Sequence, residues 1–281
     1  MVRIKIDGQE KLYEEGIKYE IIAGEYQHLY KEPIALVIIN GKIRELMKRV
    51  DKDCELTFAT YGDPIGHKTY VRTAIMLLMK AIKDVAGAAA AAAAKVEFAI
   101  GAGYYCRFVD HAPLDDKQIM QVRERMKELI EADLPITKRA YPSEEAIRLF
   151  DQNGMQDKVK LFRYRRSSTI NVYCLGDYFD YYYGYMLPST GYIRHFDLLS
   201  YEEGMILLLP EQSAPEELPA FEPREKLFRT LLQTCQWGEK IGIDTVGDLN
   251  DQICEGNIAD MILVQEDYDK VKRRKIWHNC G

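Results

Sequence analysis

The chain has no CxxC pair, no apolar run approaching the length of a membrane span and no glycine-rich phosphate loop. Its six cysteines (Cys54, Cys106, Cys174, Cys235, Cys254 and Cys280) are widely scattered. In a chain of this size they read as reduced thiols of a cytoplasmic protein. The N-terminus, MVRIKIDGQEK, carries charges at alternate positions and lacks the apolar stretch of a signal peptide. Even IRLFD and MILLLPEQ are cut short, so no membrane span is expected. Positive charge is also scarce: 38 Lys and Arg stand against 44 Asp and Glu, a net charge of −6. That excludes a wholly basic, nucleic-acid-coating surface and leaves a local basic face open. The five histidines (His28, His67, His111, His195 and His278) form no ligand spacing.

What is present suits a folded chain of about two ordinary domains: 281 residues, 47% hydrophobic, 29% charged and 11% aromatic. Ala88 to Ala94 is a run of seven alanines. Alanine has the best helix propensity, but so featureless a surface is unusual, and no function is read into it.

VRIKI followed by Asp7–Gly8 predicts a hairpin. IALVIING predicts a second strand, with a turn at Asn40–Gly41 and the amphipathic KIRELMKRV beyond it, and ELTFA at 55–59 a closing strand. Gly62, Asp63, Pro64 and Gly66 then punctuate the chain before a strong helix with an expected buried stripe of Val71, Ile75, Leu78, Met79 and Ile82. VEFAIG reads as a strand. A helix capped by Asp115 or Asp116 and another opened by Ser143 follow, with strands at 170–175 and 204–209. The pattern is α+β, helices on a largely antiparallel sheet. Pro215, Pro219 and Pro223 lead into a helical tail that includes the basic run Lys272, Arg273, Arg274 and Lys275, which reads as a surface helix.

The stretch LGDYFDYYYGYMLPSTGYIRHFDL, residues 175–198, resembles a segment of the second additional domain of threonyl- and alanyl-tRNA synthetases, where mischarged tRNA is edited. The resemblance rests on Gly176–Asp177, Asp180, Gly184, Pro188–Ser189–Thr190–Gly191 and Phe196 to Leu198. The first 65 residues resemble a TGS domain, a small ubiquitin-like β-grasp module. The resemblance implies three parts: residues 1–62 TGS-like, 63–215 editing-domain-like, and 216–281 a helical linker. GHKTYVRTAIMLLMKA, GAGYYCRF, KLFRYRRSS and FRTLLQTCQWGEKIGIDTVGDLNDQI further resemble the front half of bacterial uridine kinase-like nucleoside kinases. That resemblance implies a non-catalytic accessory or regulatory region. Its partner would be a C-terminal P-loop kinase domain, with ATP and Mg²⁺ needed only there and no cofactor within these residues.

An editing site of this family uses an HxxxH pair on a helix with a Cys and a His downstream, and histidines four apart share one helix face. The matching positions hold Arg72, Met76, Tyr182 and Met186. Arginine and tyrosine do not normally replace a neutral histidine on a metal, and a thioether is a poor zinc ligand, so a degenerate site without metal is expected. A P-loop needs GxxxxGK[ST]; in GDPIGHKT the spacing is wrong and His67 precedes Lys68. GAG at 101–103 is an ordinary turn, and Cys106 an inert, part-buried thiol.

The remaining candidates for a ligand cleft are Arg72, Met76, Tyr104, Tyr182 and Met186, with a basic patch at Arg163, Arg165 and Arg166. Tyrosine supplies a stacking face and a hydroxyl, and arginine a fork suited to phosphate, the materials of a nucleotide or single-stranded RNA site. Core packing and surface ion pairs are the plainer account of the same residues. Two functions stay open: a nucleoside-kinase accessory region, and an RNA-binding relative of the synthetases. Asp180 is the internal carboxylate expected to decide whether Arg72 is free for a ligand.

Overall fold

The computed structural model describes residues 1–278, with side chains to residue 270. The chain forms an α+β architecture: a small β-grasp sheet, an α+β region, and a helical tail. It divides into two compact units, residues 1–141 with 169–229, and residues 142–168 with 230–281.

In the first unit, β1 (Val2–Ile6) and β2 (Gln9–Tyr13) form an antiparallel hairpin. Val2, Ile4 and Ile6 are buried while Arg3 and Lys5 face out, the period of two that VRIKI predicts. The turn at Asp7–Gly8 takes positive φ at both residues, which suits a two-residue hairpin. Helix α1 (Tyr19–Tyr26) buries Tyr19, Ile22 and Ala23. Strands β3 (Ile34–Ile39), β4 (Lys42–Glu45) and β5 (Cys54–Thr60) complete a sheet ordered β2-β1-β5-β3-β4, with β1 parallel to β5. KIRELMKRV, an amphipathic segment in sequence, thus opens as an edge strand.

Strand β3 is buried on both faces. Ile34 and Val37 join a core with Ile4, Ile22, Leu56 and Phe58. Ala35 and Leu36 instead join the larger core built on α2 (Pro64–Ala93). A register shift between Ile34 and Leu36 accompanies this division. Such two-sided burial explains why IALVII is a continuous apolar run and not an alternating one.

Helix α2 is buried over more of its circumference than the expected stripe. Val71, Leu78, Met79 and Ile82 are buried as expected, and Ile75 is half-buried. Thr69, Tyr70, Thr73, Ala74, Met76 and Leu77 are buried as well. The two threonines escape the burial penalty by donating to the carbonyls of Ile65 and Thr69. The helix kinks at Gly87, where φ is +91°, just before the alanines.

Four antiparallel strands lie in the order β11-β12-β7-β6: β6 (Ala94–Ile100), β7 (Gly103–Phe108), β11 (Asp197–Tyr201) and β12 (Gly204–Leu208). Between β7 and β11 come α3 (Asp116–Glu131), closed by a capping box between Asp115 and Gln118, and a second sheet. That sheet is ordered β10-β9-β8, from β8 (Ile136–Pro142), β9 (Thr169–Leu175) and β10 (Tyr178–Asp180).

The second unit holds α4 (Ser143–Gln152) and α5 (Gln156–Arg163), joined by stacking of Phe150 on Phe162 with ring centroids 5.7 Å apart. Helix α6 (Glu225–Lys240) enters it, followed by α7 (Val246–Cys254) and α8 (Ile258–His278). Trp237 stacks on Tyr268 at 4.5 Å. The side chains of Lys272, Arg273, Arg274 and Lys275 lie outside the described residues. No helix of the described residues is long and apolar enough to cross a membrane.

Candidate functional site

Arg72 and Met76 lie one turn apart on α2, on one face. The Arg72 guanidinium rests over Gly184: a Cβ built there would stand 2.5 Å from Arg72 Cζ. Gly184 also has φ of +133°, a conformation L-residues rarely adopt, so the backbone and the guanidinium both require glycine. Arg72 donates to the carbonyl of Lys68 at 3.2 Å, within its own helix. Among the described residues no carboxylate forms an ion pair with it.

Asp180, the expected internal partner, is buried and engaged elsewhere. It accepts from the Tyr181 amide at 2.6 Å and from the Tyr178 hydroxyl at 3.3 Å. Arg72 therefore sits half-buried without a counter-carboxylate. Desolvation lowers its pKa from the usual value, and the neighbouring Tyr173 opposes the shift.

Tyr173 is the hub of this site. Its hydroxyl donates towards the Gly184 carbonyl at 2.7 Å and towards Glu45 Oε1. Its ring meets Tyr182 edge-on, 6.4 Å between centroids, and Lys138 Nζ lies over it at 4.9 Å. Burial and the adjacent Glu45 push the Tyr173 pKa far above the ordinary range, so the phenol stays a donor. Burial likewise raises the Tyr182 hydroxyl well above its usual value, with Asp180 adding to the shift.

Of the expected cleft residues, Arg72 and Tyr182 both neighbour Tyr173. Met76 and Met186 are each 0% exposed and belong to the core that α2 organises, with no sulfur open to solvent. Tyr104 is half-buried against the α2 core, and no described hydrogen bond or ring contact joins it to Arg72. Tyr105, one residue on, points to the opposite face among Phe98, Tyr201 and Phe228. Arg163, Arg165 and Arg166 belong to the second unit. There Arg163 pairs with Asp251 at 3.4 Å, Arg165 lies over the Phe162 ring at 5.7 Å, and Arg166 is exposed.

GDPIGHKT does not form a phosphate cradle. Gly66 lies in the first turn of α2, so close to β5 that a Cβ would stand 1.8 Å from the Thr60 carbonyl oxygen. His67 is half-buried there, its pKa lowered by desolvation against the opposing charge of Glu211. His111 is exposed beside Phe108. Among the described residues no cluster of three His, Cys, Asp or Glu side chains could hold a metal ion.

Sequence reasoning misses Glu45, Lys138 and Tyr173. Glu45 had a usable signal: β4 pairs with β3, so a residue opposite Leu36 on a two-sided strand must enter the second core. Lys138 and Tyr173 carry no local pattern that separates them from other strand residues.

No family model matches the chain. It is similar to threonine–tRNA ligases. It is 31% identical over 205 residues to that of Thermotoga petrophila, covering 71% of this chain and 30% of the relative. It is 29% identical over 202 residues to that of Acetivibrio thermocellus, covering 71% and 31%. It is 32% identical over 203 residues to that of Clostridium tetani, again covering 71% and 31%. The chain thus spans about 30% of the length of the curated relatives it matches. These relatives overturn the kinship with uridine kinase-like nucleoside kinases. The accessory role to a kinase, the C-terminal kinase domain as partner and the kinase activity fall with it. Of the tracts that suggested the kinase, GHKTYVRTAIMLLMKA is the buried first half of α2 and GAGYYCRF the turn into β7 with that strand. A tract held by packing identifies a fold, and the kinase inference needed a function.

Proposed function

We propose that this chain is an RNA-binding region related to the TGS and editing part of threonyl-tRNA synthetase, with tRNA as its partner and without editing chemistry in its cleft. One observation carries the reading: a half-buried guanidinium, Arg72, held over Gly184 beside Tyr173 and lacking a carboxylate partner. An arginine cannot shed its charge to escape desolvation, so an anion is the natural complement, and the fork fits a phosphate oxygen pair. The Tyr182 ring edge beside Tyr173 supplies aromatic surface for a terminal base.

The buried methionines supply neither a general base nor a nucleophile, which supports binding over hydrolysis. On this reading residues 1–62 are the TGS-like module, 63–215 the editing-like module and 216–281 the helical linker. A cytoplasmic location follows from the partner and is supported by the free cysteines.

The test is calorimetric titration of a short RNA ending in CCA into wild type and Arg72→Ala. Wild type is expected to bind and the variant to lose on the order of tenfold or more in affinity, the worth of a charged hydrogen bond. No binding by wild type, or equal binding by both, removes the reading.

A further inference from the structure

Glu45 is a carboxylate 2% exposed, at the end of β4 and opposite Leu36, so it leaves its own sheet and enters the larger core. Every group that holds it belongs to the α+β region. The Met186 amide donates to Oε1 at 3.2 Å, the Tyr173 hydroxyl donates to the same oxygen, and Lys138 Nζ reaches Oε2 at 3.2 Å. An amide, a phenol and an ammonium converging on two oxygens make a complete oxyanion pocket, and nothing in it is specific to a glutamate side chain.

Two features make the present occupant displaceable. The Tyr173 hydroxyl has one proton and two acceptors, Glu45 Oε1 and the Gly184 carbonyl, so its bond to Glu45 is shared. The charge is also unbalanced: Lys138 pairs with Glu45 at 3.2 Å, while Arg72, also beside Tyr173, has no carboxylate of its own among the described residues. Asp180, also buried in that region, is turned to Tyr178 and the Tyr181 amide.

We propose that Glu45 is a resident plug in an oxyanion-binding site formed by Tyr173, the Met186 amide and Lys138 next to Arg72, and that a phosphate group of an incoming ligand displaces it. The ligand on the proposed reading is an RNA end, and to that extent the inference rests on that reading. The pocket's own chemistry asks only for a tetrahedral or planar oxyanion. Displacement frees the β4 end from the α+β region, so occupancy of the cleft is reported to the β-grasp sheet.

The 281-residue chain is tested as wild type, Glu45→Ala and Glu45→Gln. Acetate and inorganic phosphate, each against chloride at equal ionic strength, are expected to raise the melting temperature of Glu45→Ala in a saturable way, at concentrations on the order of tenfold lower than wild type needs for the same rise. AMP and a CCA-ending RNA, titrated separately, distinguish a free nucleotide from a nucleic-acid source. The preferred one binds Glu45→Ala on the order of tenfold tighter than wild type, the fold-change expected for removing a charged competitor. Glu45→Gln keeps the pocket filled and gains less.

No saturable stabilisation of Glu45→Ala by any of these anions overturns the plug. RNA binding that is equal in wild type and Glu45→Ala overturns it while leaving the RNA reading intact. Anion gain without RNA binding by either protein does the reverse. Should Glu45→Ala fail to fold, hydrogen exchange on wild type decides: saturating RNA or phosphate must speed exchange of the amides in residues 42–46, and unchanged exchange overturns the proposal.

Discussion

Replacing Gly184 by alanine separates the strain of the site from its chemistry. At φ of +133° a side chain is strained whatever the space around it, which costs about 1–3 kcal/mol. The added Cβ also stands 2.5 Å from Arg72 Cζ and 2.8 Å from its Nε and Nη1. The clashing group is the far end of a flexible side chain, so Arg72 swings aside and the collision adds less than the backbone strain. For a chain of this size about 1 kcal/mol corresponds to roughly 2–4 °C in Tm. Gly184→Ala is therefore expected to melt several degrees low and to lose RNA affinity as severely as Arg72→Ala, because the anchor is displaced. In the double variant the collision is gone and the backbone strain remains, so stability recovers part of the loss. A double-mutant cycle by thermal unfolding and RNA titration reads both effects. Strictly additive stability losses, or wild-type RNA binding by Gly184→Ala, would refute the placement of Arg72 over this glycine.

Gly66→Ala must open the junction of α2 with β5, where a Cβ would lie 1.8 Å from a backbone oxygen, and a loss of about 2–4 kcal/mol is expected in urea unfolding. Gly24→Ala, in α1 with nothing within 4 Å of its Cβ, is the control and should be neutral or stabilising by about 0.5–1 kcal/mol. Burial pushes the Cys106 thiol up to about 12, so iodoacetamide at neutral pH should modify exposed Cys254 and spare Cys106 until the chain unfolds. Asp177 pairs with Lys80 at 2.7 Å and Lys83 at 3.1 Å, which lowers its pKa from 3.8 to about 2. Its contribution is present above pH 4 and lost as pH falls towards 2. Asp177→Asn should thus flatten that acid limb by well under about 1 kcal/mol, since the carboxylate is largely exposed.

The fold is legible wherever one period dominates a segment. VRIKI alternates and becomes β1; the α3 stripe expected at Ile119, Val122, Met126, Leu129 and Ile130 repeats at helical spacing, with the first four buried and Ile130 half-buried. Helix α1 is not legible, because three buried residues in eight, with no capping hydrogen bond at Lys18, leave too short a pattern. The extent of burial on α2 is hidden for the opposite reason. Threonines count as polar in a pattern, yet Thr69 and Thr73 satisfy their hydroxyls inside the helix and behave as core residues. At the site, the resemblance points to Arg72, Tyr182, Met76 and Met186. It says nothing of Glu45, whose place depends on strand pairing between residues nine apart, nor of Lys138 and Tyr173, which meet it from two other strands.

Sharing β3 between two cores has a consequence for how the site works. Ala35, Leu36, Ala59 and Tyr61 come from the first 62 residues but are buried in the core that α2 organises. The Tyr61 hydroxyl donates across to the Tyr192 carbonyl at 2.8 Å. The β-grasp sheet keeps a core of its own around Ile4, Ile22, Leu56 and Phe58, and Ala35, Leu36, Ala59 and Tyr61 add a second, opposite apolar face. The same face carries Glu45 into the oxyanion pocket. Releasing Glu45 alone leaves that apolar contact in place, so the β4 end can respond to a ligand without the sheet detaching. Cutting the chain near residue 62 would instead expose the apolar face and empty the pocket together. A fragment lacking the first 62 residues thus tests a damaged core, and the single substitution at Glu45 is the cleaner probe of whether the sheet senses the cleft.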